Sequence, residues 1–182
     1  MTEAHLASAL VEPTARPGRV VGIDPGLNVT GFGVVELAGD RCLHVHHGVV
    51  RTRPSDPLAT RLVAIRDGVR AIAREFGAAT GAVEAGFVGT NTRSALALGQ
   101  ARAAALLGIA DAGLEVREYA PAMVKQSVTG YGRGEKSQVG EMVRLQLGLA
   151  AVPSPADAAD ALAVAITHWA HSRMDYRLEL RR

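Results

Sequence analysis

Val20-Val21-Gly22-Ile23-Asp24-Pro25-Gly26 is the stretch whose reading decides the fold. Three β-branched residues run into a carboxylate, and a Pro-Gly break follows at once. This pattern predicts a strand with Asp24 at its exit. Thr30 to Ala38 follows at hairpin distance as a second strand. A carboxylate at a strand end, next to glycines that let a phosphate or a metal ion approach the backbone, suits phosphate chemistry. A capped strand with a turn-forming Asp accounts for the same stretch equally well.

Outward from this hairpin, Gly39-Asp40 predicts a turn and Cys42 to Val50 a third strand. His44, His46 and His47 lie in it. The first and second would share a strand face, but no fourth metal ligand is near in sequence, so the reading is surface histidines on an edge strand. Leu58, Leu62, Ile65, Val69, Ile72 and Phe76 recur in steps of three and four and predict a helix ended by Gly77. Its other face carries Arg61, Arg66, Asp67, Arg70 and Arg74, read as solvated. Thr80 to Glu84 repeats the opening logic: a short apolar strand, an acid at its end, then Ala85-Gly86.

Asn91 to Ala112 is a long helix with few charges, so the domain or another subunit must cover much of it. Leu114 to Tyr119 reads as a strand, Pro121 to Ser127 as a helical turn, and Thr129 to Gly134 as a glycine loop holding Tyr131 and Arg133. Glu135 to Leu149 is a helix. Ser154 and Pro155 are placed as N-cap and first residue of the last helix. Asp157 and Asp160, three apart, share one of its faces.

The expected architecture is α/β: an antiparallel meander of three strands, then helical crossovers that make a five-stranded mixed sheet flanked by helices. Sites in such sheets lie at the carboxyl ends of strands, where Asp24 and Glu84 fall. The expected organisation is an N-terminal extension over residues 1–18, one domain over 19–174, and a basic tail over 175–182.

The chain's 182 residues suffice for one domain with its own core. Aromatics are only 4% of the chain, so Val, Leu, Ile and Ala must build that core. A net charge of +2 does not by itself announce a nucleic-acid partner. Arginine supplies nearly all the basic residues, with lysine only at 125 and 136. Arginine suits bidentate phosphate contacts, although high-GC coding enriches it too. Cys42, the single cysteine, has no internal disulfide partner and reads as a small buried apolar residue. No apolar run reaches the length of a membrane span. A reducing, cytoplasmic setting fits.

Four carboxylates, Asp24, Glu84, Asp157 and Asp160, stand out together. Brought close, they repel, and a cation must offset them. Hard oxygen donors select Mg²⁺ or Mn²⁺. Two such ions, roughly 3.5–4 Å apart, suit phosphodiester hydrolysis. Phe87, after Ala85-Gly86, can project from a loop and stack on a base. Lys136 can stabilise phosphate charge. Arg93 and Arg133 are candidate contacts to the DNA backbone.

Five segments carry a resemblance: Gly22-Ile23-Asp24-Pro25-Gly26, Glu84-x-x-Phe87, Leu98-Gly99-Gln100-Ala101-Arg102, Glu135-Lys136-Ser137-Gln138-Val139, and Asp157-Ala158-Ala159-Asp160-Ala161-Leu162-Ala163. In order and together they resemble the RuvC family of Holliday-junction resolvases. The resemblance implies an RNase H-like fold and a homodimeric, metal-dependent endonuclease acting on four-way junction DNA in recombination and repair. It implies that the four acids are catalytic, with two ions of Mg²⁺ or Mn²⁺ per subunit. It also implies that Phe87 stacks near the crossover, that Lys125 and Lys136 serve DNA contact and catalysis, and that Asn91–Ala112 forms the dimer helix. The RuvA–RuvB branch-migration complex is the implied partner.

Two other readings share parts of this pattern. Actin-like ATPases carry Asp-x-Gly in the same opening hairpin, but this chain is short for their two lobes and lacks a second convincing phosphate loop. A junction-binding scaffold without cleavage activity, or a related nuclease with another substrate, would keep the fold.

Overall fold

Three extended segments open the fold: β1 (Arg19–Asp24), β2 (Val29–Ala38) and β3 (Arg41–Arg51). Then come α1 (Leu58–Glu75), β4 (Ala78–Glu84), α2 (Thr92–Asp111), β5 (Glu115–Tyr119), α3 (Pro121–Thr129), α4 (Lys136–Leu147) and α5 (Ala156–Glu179). The computed structural model describes residues 18–38, 40–86, 92–130 and 136–179, without the side chains of 136, 137 and 174–179. The sheet order is β3-β2-β1-β4-β5. The first three strands are antiparallel neighbours, whereas β4 runs parallel to β1 and β5 parallel to β4. This is the expected mixed sheet.

Alternation along the strands sorts the core into two layers. Val21, Ile23, Phe32, Val34 and Val83 pack with Ile65, Val69 and Ile72 of α1 and with Ala101, Ala105 and Ile109 of α2. Val20, Val35, Ala82 and Tyr119 point the other way, against α3, α4 and α5. From Ala158 to His168 every residue of α5 except the half-buried Asp160 is buried, as expected of a helix that is largely apolar all round. His168 is satisfied there by Tyr119 Oη at 2.9 Å and by Thr80 Oγ1.

Close approach makes this second layer possible. A Cβ on Gly22 would strike the Ala161 carbonyl and the Ala165 nitrogen, and one on Gly33 would lie 2.7 Å from Leu162. Glycine in a strand interior marks such backbone contact. The helix therefore rests almost directly on β1 and β2.

Several expectations change. Arg61 is not on a solvated face: it is 9% exposed and donates to Thr52 Oγ1, Leu27 O and Asn28 Oδ1. It sits one turn before Ile65, on the apolar stripe itself. Arg66 and Arg70 share Asp67 and Asp111, tying α1 to α2. The turn at Pro121 is a nine-residue helix closed by Gly130 at φ 77°. The last helix begins at Ala156 rather than Pro155, and it continues to Glu179 through positions expected to form a tail. Residues 1–17 of the expected extension, and Gly39 of the expected turn, lie outside the described residues.

A bulge in β3 also separates the histidines. Val34 pairs with His46 and Val35 with His44, so one residue is skipped and the alternation resets. His44 and His47 fall on one face, 2.8 Å apart, whereas His46 stacks on Phe76 on the other. Cys42 packs against the α5-side core, and burial pushes its thiol up to about 12.

Gly33→Val forces Leu162 and the α5 backbone away from β2. The expected loss is about 1–3 kcal/mol of unfolding free energy, read as a lower denaturation midpoint with an unchanged slope. An unchanged midpoint would show that α5 does not need this contact.

Candidate active site

The strand that carries Asp24 also sets its direction. Gly22, two residues earlier, faces α5, so Asp24 faces α5 as well. In the parallel ladder Ile23 pairs with Val83. Asp24 and Glu84 thus follow side by side on adjacent strands, whose spacing is about 4.8 Å. Ala82, two before Glu84, belongs to the α5-side core, so both carboxylates share that face. Both strands stop here, which leaves each acid half-buried at the sheet's carboxyl end.

The helical pair arrives from above. Asp24 pairs across β1 and β2 with Gly31. The Asp157 carbonyl lies where a Gly31 Cβ would be, so the first turn of α5 sits over this row. One turn later, Asp160 lines a cleft of about 220 Å³ with Glu84 and Lys125, walled by Pro121, Val124, Val139 and Ala163. The acids therefore form two neighbouring pairs: Asp24 with the Asp157 position, and Glu84 with Asp160. Asp24, Glu84 and Asp160 each interact with a neighbouring group.

Among the described residues, no three His, Cys, Asp or Glu side chains are gathered as a metal site. The donor chemistry nevertheless fits a hard divalent ion, because Mg²⁺ keeps several waters and needs only one or two carboxylates. Two carboxylate pairs on one face satisfy that requirement.

The other expected residues fall unevenly. Lys125 of α3 enters the cleft beside Glu84 and Asp160. Lys136 is the first residue of α4, with its side chain outside the described residues. Arg93 is the second residue of α2 and is exposed. Phe87, Tyr131 and Arg133 lie outside the described residues.

Residues 20–168 match the family model for the crossover junction endodeoxyribonuclease RuvC. The chain belongs to the RuvC family. It is 51% identical to a Burkholderia ambifaria RuvC over 154 residues, covering 85% of this chain and 82% of that relative. A Chloroflexus aggregans RuvC is likewise 51% identical over 150 residues, 82% of this chain and 92% of that one. The solved structure of Thermus thermophilus RuvC in complex with Holliday junction substrate matches with a TM-score of 0.81 at 38% identity, covering 87% of this chain and 96% of that one. The fold is thus the RNase H-like one of RuvC, and the four acids lie inside the matched span.

Two positions that shape the candidate site are not evident from the sequence pattern alone. Arg61 anchors the turn after Asp24 through Leu27 and Asn28. Its place on the apolar stripe was the available signal. Gly31 makes room for Asp157, a role visible only once α5 is docked.

The three histidines stand apart from this centre on edge strand β3. Burial first, then repulsion between the rings, lowers His44 and His47 from the ordinary imidazole value. A folded-state value below the unfolded value of about 6.5 gives stability that is present above that pH and lost as pH falls through the folded value. Stability should therefore decline on acidification below about pH 6.5. H44Q/H47Q should flatten that part of the pH profile in chemical denaturation. An unchanged profile would remove these two rings as the cause.

Proposed function

We propose that this protein is a structure-selective endonuclease that resolves four-way DNA junctions by paired, symmetric, metal-dependent hydrolysis. The observation that carries the reading is the set of four acids: two at adjacent strand ends and two on the helix laid over them. The Thermus relative solved in complex with Holliday junction substrate supports the choice of DNA.

Asp24, Glu84, Asp157 and Asp160 would hold two divalent ions per subunit, Mg²⁺ or Mn²⁺. When bound, these ions supply positive charge to the scissile phosphate and lower the pKa of the attacking water. The acids fix that charge at one end of the sheet. Lys125, on the wall of the same cleft, adds a mobile cation that can pair with phosphate oxygens. Lys136 is assigned a similar role, and Phe87 is assigned to stacking at the crossover. Arg93 and Arg133 contact the DNA backbone. In-line attack leaves 5′-phosphate and 3′-hydroxyl ends that a ligase can join.

Paired nicks need two sites related by two-fold symmetry. Helix α2 supplies the surface for that dimer. Its inner face packs Ala101, Ala104, Ala105, Gly108 and Ile109, while Leu96 and Leu107 are 62% and 56% exposed. Thr92, Leu96, Gly99, Ala103, Leu107 and Ala110 form the exposed stripe of this helix. An uncharged stripe of that length fits a second copy of itself. This activity on DNA is consistent with a cytoplasmic protein working with a RuvA–RuvB branch-migration complex.

Asp24→Asn should lose junction cleavage by several orders of magnitude while keeping wild-type junction affinity in chelator. Equal loss of binding would make Asp24 structural, and cleavage of linear duplex at the junction rate would remove the junction assignment. Separately, L96E/L107E should sediment as a monomer and abolish coupled nicking of the two strands. A dimer that survives this change would place the interface elsewhere.

A further inference from the structure

Arg51 and Arg53 flank the one residue that the buried guanidinium of Arg61 holds on the far side of the meander. Arg61 donates to Thr52 Oγ1, and Thr52 in turn donates from its hydroxyl to Leu27 O and from its amide to Asn28 O. Arg61 also reaches Leu27 O and Asn28 Oδ1 directly. Its acceptors are all neutral oxygens, and the segments it joins are the turn that follows Asp24 and the exit of β3. This clamp holds residues 51–53 in fixed register with Asp24.

The register gives Arg51 its face. Gly31 and Gly33 of β2 lie under α5, so Val29 and its cross-strand partner Arg51 lie on the same side of the sheet. That is the face of Asp24. From strand spacing and rise, the two backbone positions are roughly 12 Å apart. At roughly 3.4 Å of rise per nucleotide, this is the span of a few nucleotides. Arg51 and Arg53 are both exposed, and among the described residues neither side chain has a hydrogen-bond or ion-pair partner. Of the other basic candidates, Arg93 belongs to α2, which packs on β4 and β5, and Lys125 lines the cleft beside Glu84 of β4. Neither Arg93 nor Lys125 lies on β3 or at its exit.

We infer that Arg51 and Arg53 form a second phosphate-binding arm, which holds the DNA backbone on the β3 side of the acidic face. The inference rests on the proposed junction-cleaving function. The arm binds sugar-phosphate backbone and reads no base. Because the clamp orders the segment before DNA arrives, little ordering remains to oppose binding.

The test is the salt dependence of binding to a synthetic four-way junction by the full-length protein, in chelator, read by fluorescence anisotropy. Arg51→Gln and Arg53→Gln should each lower the slope of log affinity against log salt by roughly 0.9 for every phosphate contact removed. Arg51→Lys should keep the slope. Arg41→Gln, at the opposite end of β3 and also exposed, should match wild type. The double variant R51Q/R53Q with an unchanged slope and affinity would overturn the inference, as would an equal effect of Arg41→Gln, which would reduce it to bulk charge. A wild-type protein that does not bind the junction would instead overturn the proposed function, and the arm with it.

Discussion

The contact of α5 with the glycine-lined face of β1 and β2 is the constraint on which the rest depends. Gly22, Gly31 and Gly33 remove the side chains that would hold a helix at ordinary distance. The helix then descends until its backbone and Leu162 touch the sheet. That approach buries the helix from Ala158 to His168, save the half-buried Asp160, and brings its first turn to the end of β1. Were the helix to ride one side-chain layer higher, Asp157 and Asp160 would stand well above Asp24 and Glu84. The same three glycines therefore serve both packing and chemistry.

The acids tolerate this proximity because of where they sit. Each terminates an apolar element or opens one, so its neighbours on one side are core and on the other are solvent. Burial of several carboxylates without compensation would be costly. Their half-buried position, with Lys125 on the wall of the shared cleft, reduces that penalty and keeps the groups accessible. Across the turn after Asp24, Arg61 plays the opposite part. It is a buried cation that satisfies backbone and side-chain oxygens and so rigidifies the loop without neutralising the acidic end.

The two helical layers divide the remaining work. The α3–α4–α5 layer covers the face that carries the acids. The α1–α2 layer covers the other face and turns the exposed stripe of α2 outward. Helix α2 packs one side on α1 and the sheet and turns the other to solvent, with Leu96 and Leu107 exposed.

Local sequence patterns by themselves determined the elements, the strand ends and the family. Val20–Asp24 and Thr80–Glu84 are short apolar runs ended by an acid, and such a run with Pro or Gly soon afterwards is a local property of the chain. The spacing of Asp157 and Asp160 is likewise local. Tertiary structure alone decided three things. The β3 bulge put His44 beside His47 and away from His46, because register depends on a partner strand. Arg61 became a buried anchor, because its acceptors come from Leu27, Asn28 and Thr52, distant in sequence. The pairing of Glu84 with Asp160, and of Asp24 with the Asp157 position, required α5 to settle onto glycines more than a hundred residues earlier. Such contacts are set by how closely two backbones approach, a distance that no single stretch of sequence encodes.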